Sequence, residues 1–124
     1  MTSKMSWIAA VALLLLAPMM AAAETASIGD FGLIDHQGKF HQLSRYADQK
    51  AVVVFVQGNG CPIARHAVPT LRKLREKFEE QGVRFLMLNA NVQDGPASIR
   101  EEAAEYGIDF PIMLDEAQLV AEAL

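Results

Sequence analysis

One cysteine, a glycine-rich turn before it and an arginine four residues after it are the parts of this chain that could do chemistry. Cys61 is the sole cysteine of 124 residues and follows Gln57-Gly58-Asn59-Gly60. A thiolate is a nucleophile toward disulfides and peroxides, and it is stabilised by the unpaired N–H groups and positive dipole end of a helix start. Gly60 and Pro62 bracket the sulfur and shape that start. Arg65 falls one helical turn further on, where it could add positive potential, or could be a solvated surface arginine. His66 falls about 140° around a regular helix from Cys61, which suits a surface or packing role better than a base. Gly58-Asn59-Gly60 could form a backbone nest for an anion, although plain turn chemistry accounts for the same residues. A cysteine packed as a small inert hydrophobe is the bland reading of Cys61.

The elements that must position this thiol follow from pattern. Ala51 to Val56 is an unbroken apolar run, as in a central strand covered on both faces. From Pro62 to Gln81 the residues Ile63, Ala67, Leu71, Leu74 and Phe78 predict one buried stripe on a long helix. Pro62 suits its first turn, Pro69 predicts a kink inside it, and Gly82 closes it. Val83 to Leu88 is the next strand, parallel to the first because a helix crosses between them. Ala97 to Tyr106 reads as a second helix ended by Gly107, and Phe110 to Leu114 as an edge or strand-start segment containing Pro111. A third helix begins within Asp115 to Leu124. Ahead of all this, Ile28 to Leu33 and Lys39 to Leu43 flank the turn signal Asp35-His36-Gln37-Gly38, predicting a hairpin. Ser44 is placed to cap a single helical turn after it. The fold class is α/β: a β-hairpin followed by β-α-β-α-β-α. There are no internal repeats. Glu79-Glu80 and Glu101-Glu102 read as solvated helix faces, since adjacent residues do not face one another across a cleft.

The first 23 residues stand apart. Lys4 supplies a positive start, Met5 to Met20 is nearly all apolar, and Ala21-Ala22-Ala23 satisfies a small-residue cleavage rule. Residues 1–23 are therefore expected to be a signal peptide, and residues 24–124 one exported domain, periplasmic or extracellular. The apolar run is shorter than a spanning helix needs and carries Pro18, so no stable membrane insertion is expected after cleavage. Loss of Lys4 leaves 10 basic against 15 acidic side chains, a net charge of −5. An acidic domain without a basic stripe argues against nucleic acid and anionic membrane as partners. One cysteine cannot staple the domain internally. No cofactor motif is present, and a metal site assembled from Cys61, His66, His36 and His41 is disfavoured, leaving none assigned.

The segments IGDFGLIDHQGKFHQL, VVVFVQGNGCPIARHAVPTLRKL, GVRFLMLNAN and YGIDFPIMLDEAQLVAEAL together resemble the thioredoxin-like superfamily, in its redoxin branch of alkyl hydroperoxide reductase and thiol-specific antioxidant proteins. Pro69, eight residues after Cys61, matches the helix-kinking proline of such domains. The resemblance implies a thioredoxin-like fold with Cys61 as redox residue. It also implies that Ala64 occupies the resolving position of a Cys-x-x-Cys motif, and that Gly58 stands where a peroxiredoxin has Thr or Ser. The family's last strands and helix have no counterpart, so the sequence reads as an N-terminal piece of such a domain. With Ala64 unable to resolve an oxidised Cys61, an external thiol reductant or partner-protein thiol must do so. The expected function is thiol-dependent reduction of peroxide or disulfide; the alternatives are a non-catalytic binding or accessory domain and an inactive truncated product. The oligomeric state is left open.

Overall fold

The computed structural model describes residues 27–124; the expected signal peptide lies outside the described residues. The hairpin forms as expected. β1 (Gly32–Ile34) and β2 (Phe40–Gln42) pair antiparallel, with Leu33 opposite His41. The Asp35 carboxylate builds the turn, accepting the N–H groups of Gln37 and Lys39 at 2.9 Å each. Gly38 takes the left-handed conformation (φ 85°) that its missing Cβ permits. The 3₁₀ turn Leu43–Tyr46 follows, but Ser44 does not cap it. The Asp30 carboxylate reaches forward instead and accepts the Ser44 N–H at 2.8 Å.

The main sheet contains β3 (Ala51–Val56), β4 (Val83–Asn89) and β5 (Ile112–Leu114), all parallel, in the order β3-β4-β5. This corrects one expectation: β4, not β3, is the middle strand among the described residues. The reason lies in coverage. Five consecutive β4 residues, Phe85 to Asn89, are buried, whereas β3 side chains are half-buried with exposed ends. Phe85 and Met87 face one core with Val68, Ile99 and Ile112; Leu86 and Leu88 face another with Met113 and Val120. Alternation of side chains along a strand sends successive residues to opposite layers, so a continuous apolar run is the signature of a strand covered twice. Pro111 precedes β5 and donates nothing, while its carbonyl accepts the Met87 N–H at 2.8 Å. The hairpin turn is tied to β5 by an Asp35–Met113 bridge and by the His36 N–H donating to the Ile112 carbonyl.

Among the described residues three helices connect and flank the strands: α1 (Pro62–Phe78), α2 (Pro96–Glu105) and the short α3 (Leu119–Ala123). The helix α1 runs on through Pro69 into the 3₁₀ turn Glu79–Gln81, and Gly82 (φ 83°) ends it. Its buried stripe differs from the one expected. Ala64 and Val68 are buried, Leu71 and Phe78 pack against the core, and Ile63 is 78% exposed. The series 64, 68, 71, 75, 78 keeps a steady four-three spacing along one face, with the aliphatic stem of Arg75 at the position a leucine would take. Ile63 sits in the first turn of the helix, where no described residue covers it. In α2 the face that packs inward carries Ile99 and Ala103.

Candidate functional site

Cys61 stands where strand becomes helix. The ladder runs one residue past β3, with Gln57 N–H donating to the Leu88 carbonyl at 2.9 Å. Gly58-Asn59-Gly60 then turns the chain, closed by Cys61 N–H to the Gly58 carbonyl at 3.2 Å. Gly60 has φ 76°, a left-handed conformation that costs any other residue about 1 kcal/mol or more. Pro62 takes the first helical position and forces the residue before it out of helical geometry, so Cys61 is the extended N-cap residue (φ −75°, ψ 111°). The Cys61 side chain makes no capping hydrogen bond. It is a free thiol, half-buried, on an open cleft of about 550 Å³ shared with Val56, Gln57, Asn59, Ala90 and Asn91.

The amides of the glycine turn are already engaged, by carboxylates of the protein itself. Asn59 N–H donates to Asp94 at 2.9 Å, and Gly60 N–H donates to Glu102 at 3.1 Å. The two amides go to separate carboxylates, one from the β4–α2 loop and one from α2, and do not converge on a single anion. Asp94 also accepts the side-chain amides of Asn89 (3.0 Å) and Asn91 (3.1 Å). Burial works against its ionisation, but these three hydrogen bonds outweigh burial and hold its carboxyl below the usual range. Glu102 receives Arg65 in a bidentate pair, Nε to Oε1 and Nη2 to Oε2, each 2.7 Å. That pair, helped by the Gly60 amide and opposed by partial burial, lowers the Glu102 carboxyl; the same pair raises the guanidinium. The Arg65 guanidinium also lies 3.8 Å over the Tyr106 ring.

The glutamate pair at 101 and 102 thus corrects the expectation of a solvated face. Glu101 is exposed, while the Glu102 side chain is only 10% exposed and holds three donors. A signal for the difference existed in the sequence. Ile99 marks the inner face of α2, and the residue three positions on must lie beside it. Arg65 is paired and partly covered, its side chain 29% exposed. Ala64 is buried against the core beside the helix start, and His66 is exposed.

The remaining polar side chains of interest divide by location. Gln57 is buried, and its Nε2 has no hydrogen-bond partner; neither does Oδ1 of Asn59, and both atoms lie beneath the cleft surface. His36 and His41 lie at the hairpin. His36 Nδ1 accepts the Ile112 N–H at 3.3 Å, and burial, opposed by neighbouring Asp35, lowers its pKa. His41 is fully buried between Asp35 (2.7 Å) and the Tyr46 hydroxyl (2.6 Å). Among the described residues no three His, Cys, Asp or Glu side chains gather as metal ligands. No helix among them is long and apolar enough to cross a membrane.

Comparison with known proteins agrees with this architecture. Residues 25–124 match the AhpC/TSA family. The thiol-disulfide oxidoreductase ResA of Halalkalibacterium halodurans is 31% identical over 94 residues, covering 76% of this chain and 52% of that protein. ResA of Geobacillus kaustophilus is 31% identical over 103 residues, covering 83% and 58%. The chain spans about half the length of these relatives. A hypothetical protein of Sinorhizobium meliloti superposes with a TM-score of 0.67 at 26% identity, over 80% of this chain and 59% of that one. Peroxidoxin BcpB of Mycobacterium tuberculosis superposes with a TM-score of 0.66 at 22% identity, covering 78% and 62%, a likeness of fold alone. The fold is thioredoxin-like.

Proposed function

The chain belongs to the AhpC/TSA family, and on that premise we propose that it is an exported thiol–disulfide exchange protein working through Cys61 alone. The observation that carries this reading is the position of the sulfur: an N-cap residue at the end of a strand, on an open cleft and not beneath apolar side chains. The Cys61 thiolate attacks one sulfur of a substrate disulfide. The substrate S–S bond breaks, a mixed disulfide forms, and the displaced thiolate takes up a proton. An external thiol then attacks the mixed disulfide and releases Cys61, while a second external thiol attacks the resulting mixed species. The sum is one disulfide reduced and two thiols oxidised to another. Ala64 in the helix start makes the second thiol necessary, because no neighbour can resolve the intermediate. Gly60 and Pro62 hold the sulfur in place, and Pro69 leaves the Arg65 carbonyl without its helical donor one turn away. Residues 1–23, read as a signal peptide, would deliver the domain to a compartment where disulfides persist.

The test is incubation of the chain with oxidised glutathione, followed by mass spectrometry. A mixed disulfide on Cys61, reversed by thiol and missing in Cys61→Ser, is the expected result. A Cys61 that forms no adduct would leave a binding or accessory domain as the better reading. A parallel incubation with hydrogen peroxide and dimedone reads the peroxide branch, in which Cys61 would be trapped as a sulfenic acid.

A further inference from the structure

We propose that Glu102 is a positioning residue for Cys61: one carboxylate on α2 grips the chain on both sides of the thiol and neutralises the cation of the thiol's own helical turn. The inference rests on the reactive-thiol reading above. Gly60 immediately precedes Cys61, and its N–H ends on Glu102 Oε1 at 3.1 Å. Arg65 lies one turn after Cys61, donates its backbone N–H to the Cys61 carbonyl at 3.1 Å, and places both Nε and Nη2 on Glu102 at 2.7 Å. Three donors converge on a single side chain more than 35 residues away in sequence, itself nine-tenths buried.

The consequence is electrostatic as well as mechanical. An unpaired Arg65 would favour the thiolate, and an unpaired Glu102 would oppose it. As a closed pair they nearly cancel. The other charged or titratable groups around this end are Asp94 from the β4–α2 loop, Glu105 on α2, Tyr106 just after it, and the exposed His66 on α1. Asp94 is occupied by three amide donors. The Arg65–Glu102 pair is therefore the setting through which substitution on α2 reaches the thiol.

The two halves of the pair make opposite predictions, which a merely structural salt bridge does not. In the full chain, the pH dependence of Cys61 alkylation by iodoacetamide is measured for Glu102→Gln and Arg65→Gln. Gln at 102 still offers an oxygen to the Gly60 N–H but removes the negative charge. Its midpoint is expected to fall by about half a pH unit, about threefold faster alkylation below the midpoint. Arg65→Gln is expected to move the midpoint up by a similar amount. The double variant, with neither charge, returns toward the parent profile, and 1 M salt shrinks both single shifts. Shifts of the same sign in both single variants, or none in either, would overturn the proposal and leave the pair as a structural tie. Alkylation needs no exchange partner, so failure of the glutathione adduct with opposite midpoint shifts intact would sink the exchange function and spare this coupling.

Discussion

Two ends of the molecule solve the same physical problem, a polar turn that must be held, with opposite reach along the chain. At the hairpin, Asp35 accepts two turn amides two and four residues away and pairs with His41 six residues on. At the thiol, the turn amides go to Asp94 and Glu102, 35 and 42 residues away. The tie at the hairpin is closed to solvent: Asp35 and His41 are 3% and 1% exposed. With Asp35 ionised, Nε2 of the imidazole donates to it, and in the neutral ring Nδ1 accepts the Tyr46 hydroxyl. The thiol end is open, and its carboxylates belong to other elements. A local, buried tie makes a rigid corner that stitches the hairpin to β5. Long-range ties make the thiol-bearing loop answer to the placement of α2.

The contrast can be broken at several points. The largest effect is expected for Asp35→Ala, which strands a buried imidazole and two turn amides; removing one partner of a buried pair costs about 3 kcal/mol. Denaturant unfolding should show that loss while the pH profile of Cys61 alkylation stays where it was; a changed alkylation profile would mean the two ends are coupled. Asp94→Ala removes the acceptor of two part-buried amides and one exposed amide, and about 2 kcal/mol of stability should go with it. Amide exchange at Asn59 should quicken while exchange at Gln37 and Lys39 does not. Gly60→Ala has open space for its methyl group but must hold φ 76°, at a cost of about 1 kcal/mol. A stability loss much above that figure would show that the glycine serves close packing and not backbone conformation.

The finest distinction is in pH. His36 at the hairpin is kept neutral in the fold, so the unfolded chain binds a proton there first. Stability should begin to fall as pH drops through the ordinary histidine range. Asp94 and Glu102 have folded pKa values below their unfolded ones, so the stability they provide is whole above the usual carboxylate range and is lost as pH falls through and beneath it. Acid unfolding followed by hydrogen exchange should weaken the hairpin turn first and the thiol turn second. His36→Gln should remove the first stage and keep the second; loss of protection at both ends in one step would contradict the assignment.

Much of this architecture was legible from residue types. Asp35 and Gly38 announced the hairpin turn because an Asx turn needs only its own neighbours. Gly60, Pro62 and Gly82 marked the ends of α1 because φ preferences act within a residue or two. The errors came where a neighbour in space decided. Ile63 fits a helical stripe as well as Ala64 does until the sheet's end is known. β3 and β4 are both apolar runs, and only the pairing order reveals which has strands on both sides. The spacing from Ile99 separates Glu102 from its exposed neighbour Glu101, but nothing local names its partner, an arginine 37 residues back.

The amino-acid order by itself determined where strands give way to helices and that the one thiol falls at such a junction, since backbone conformation and hydrophobic period are properties of adjacent residues. Which groups surround that thiol was decided only when the α2 helix packed beside α1. Hydrogen bonds and charge pairs reach a few ångströms, and sequence separation does not measure that distance.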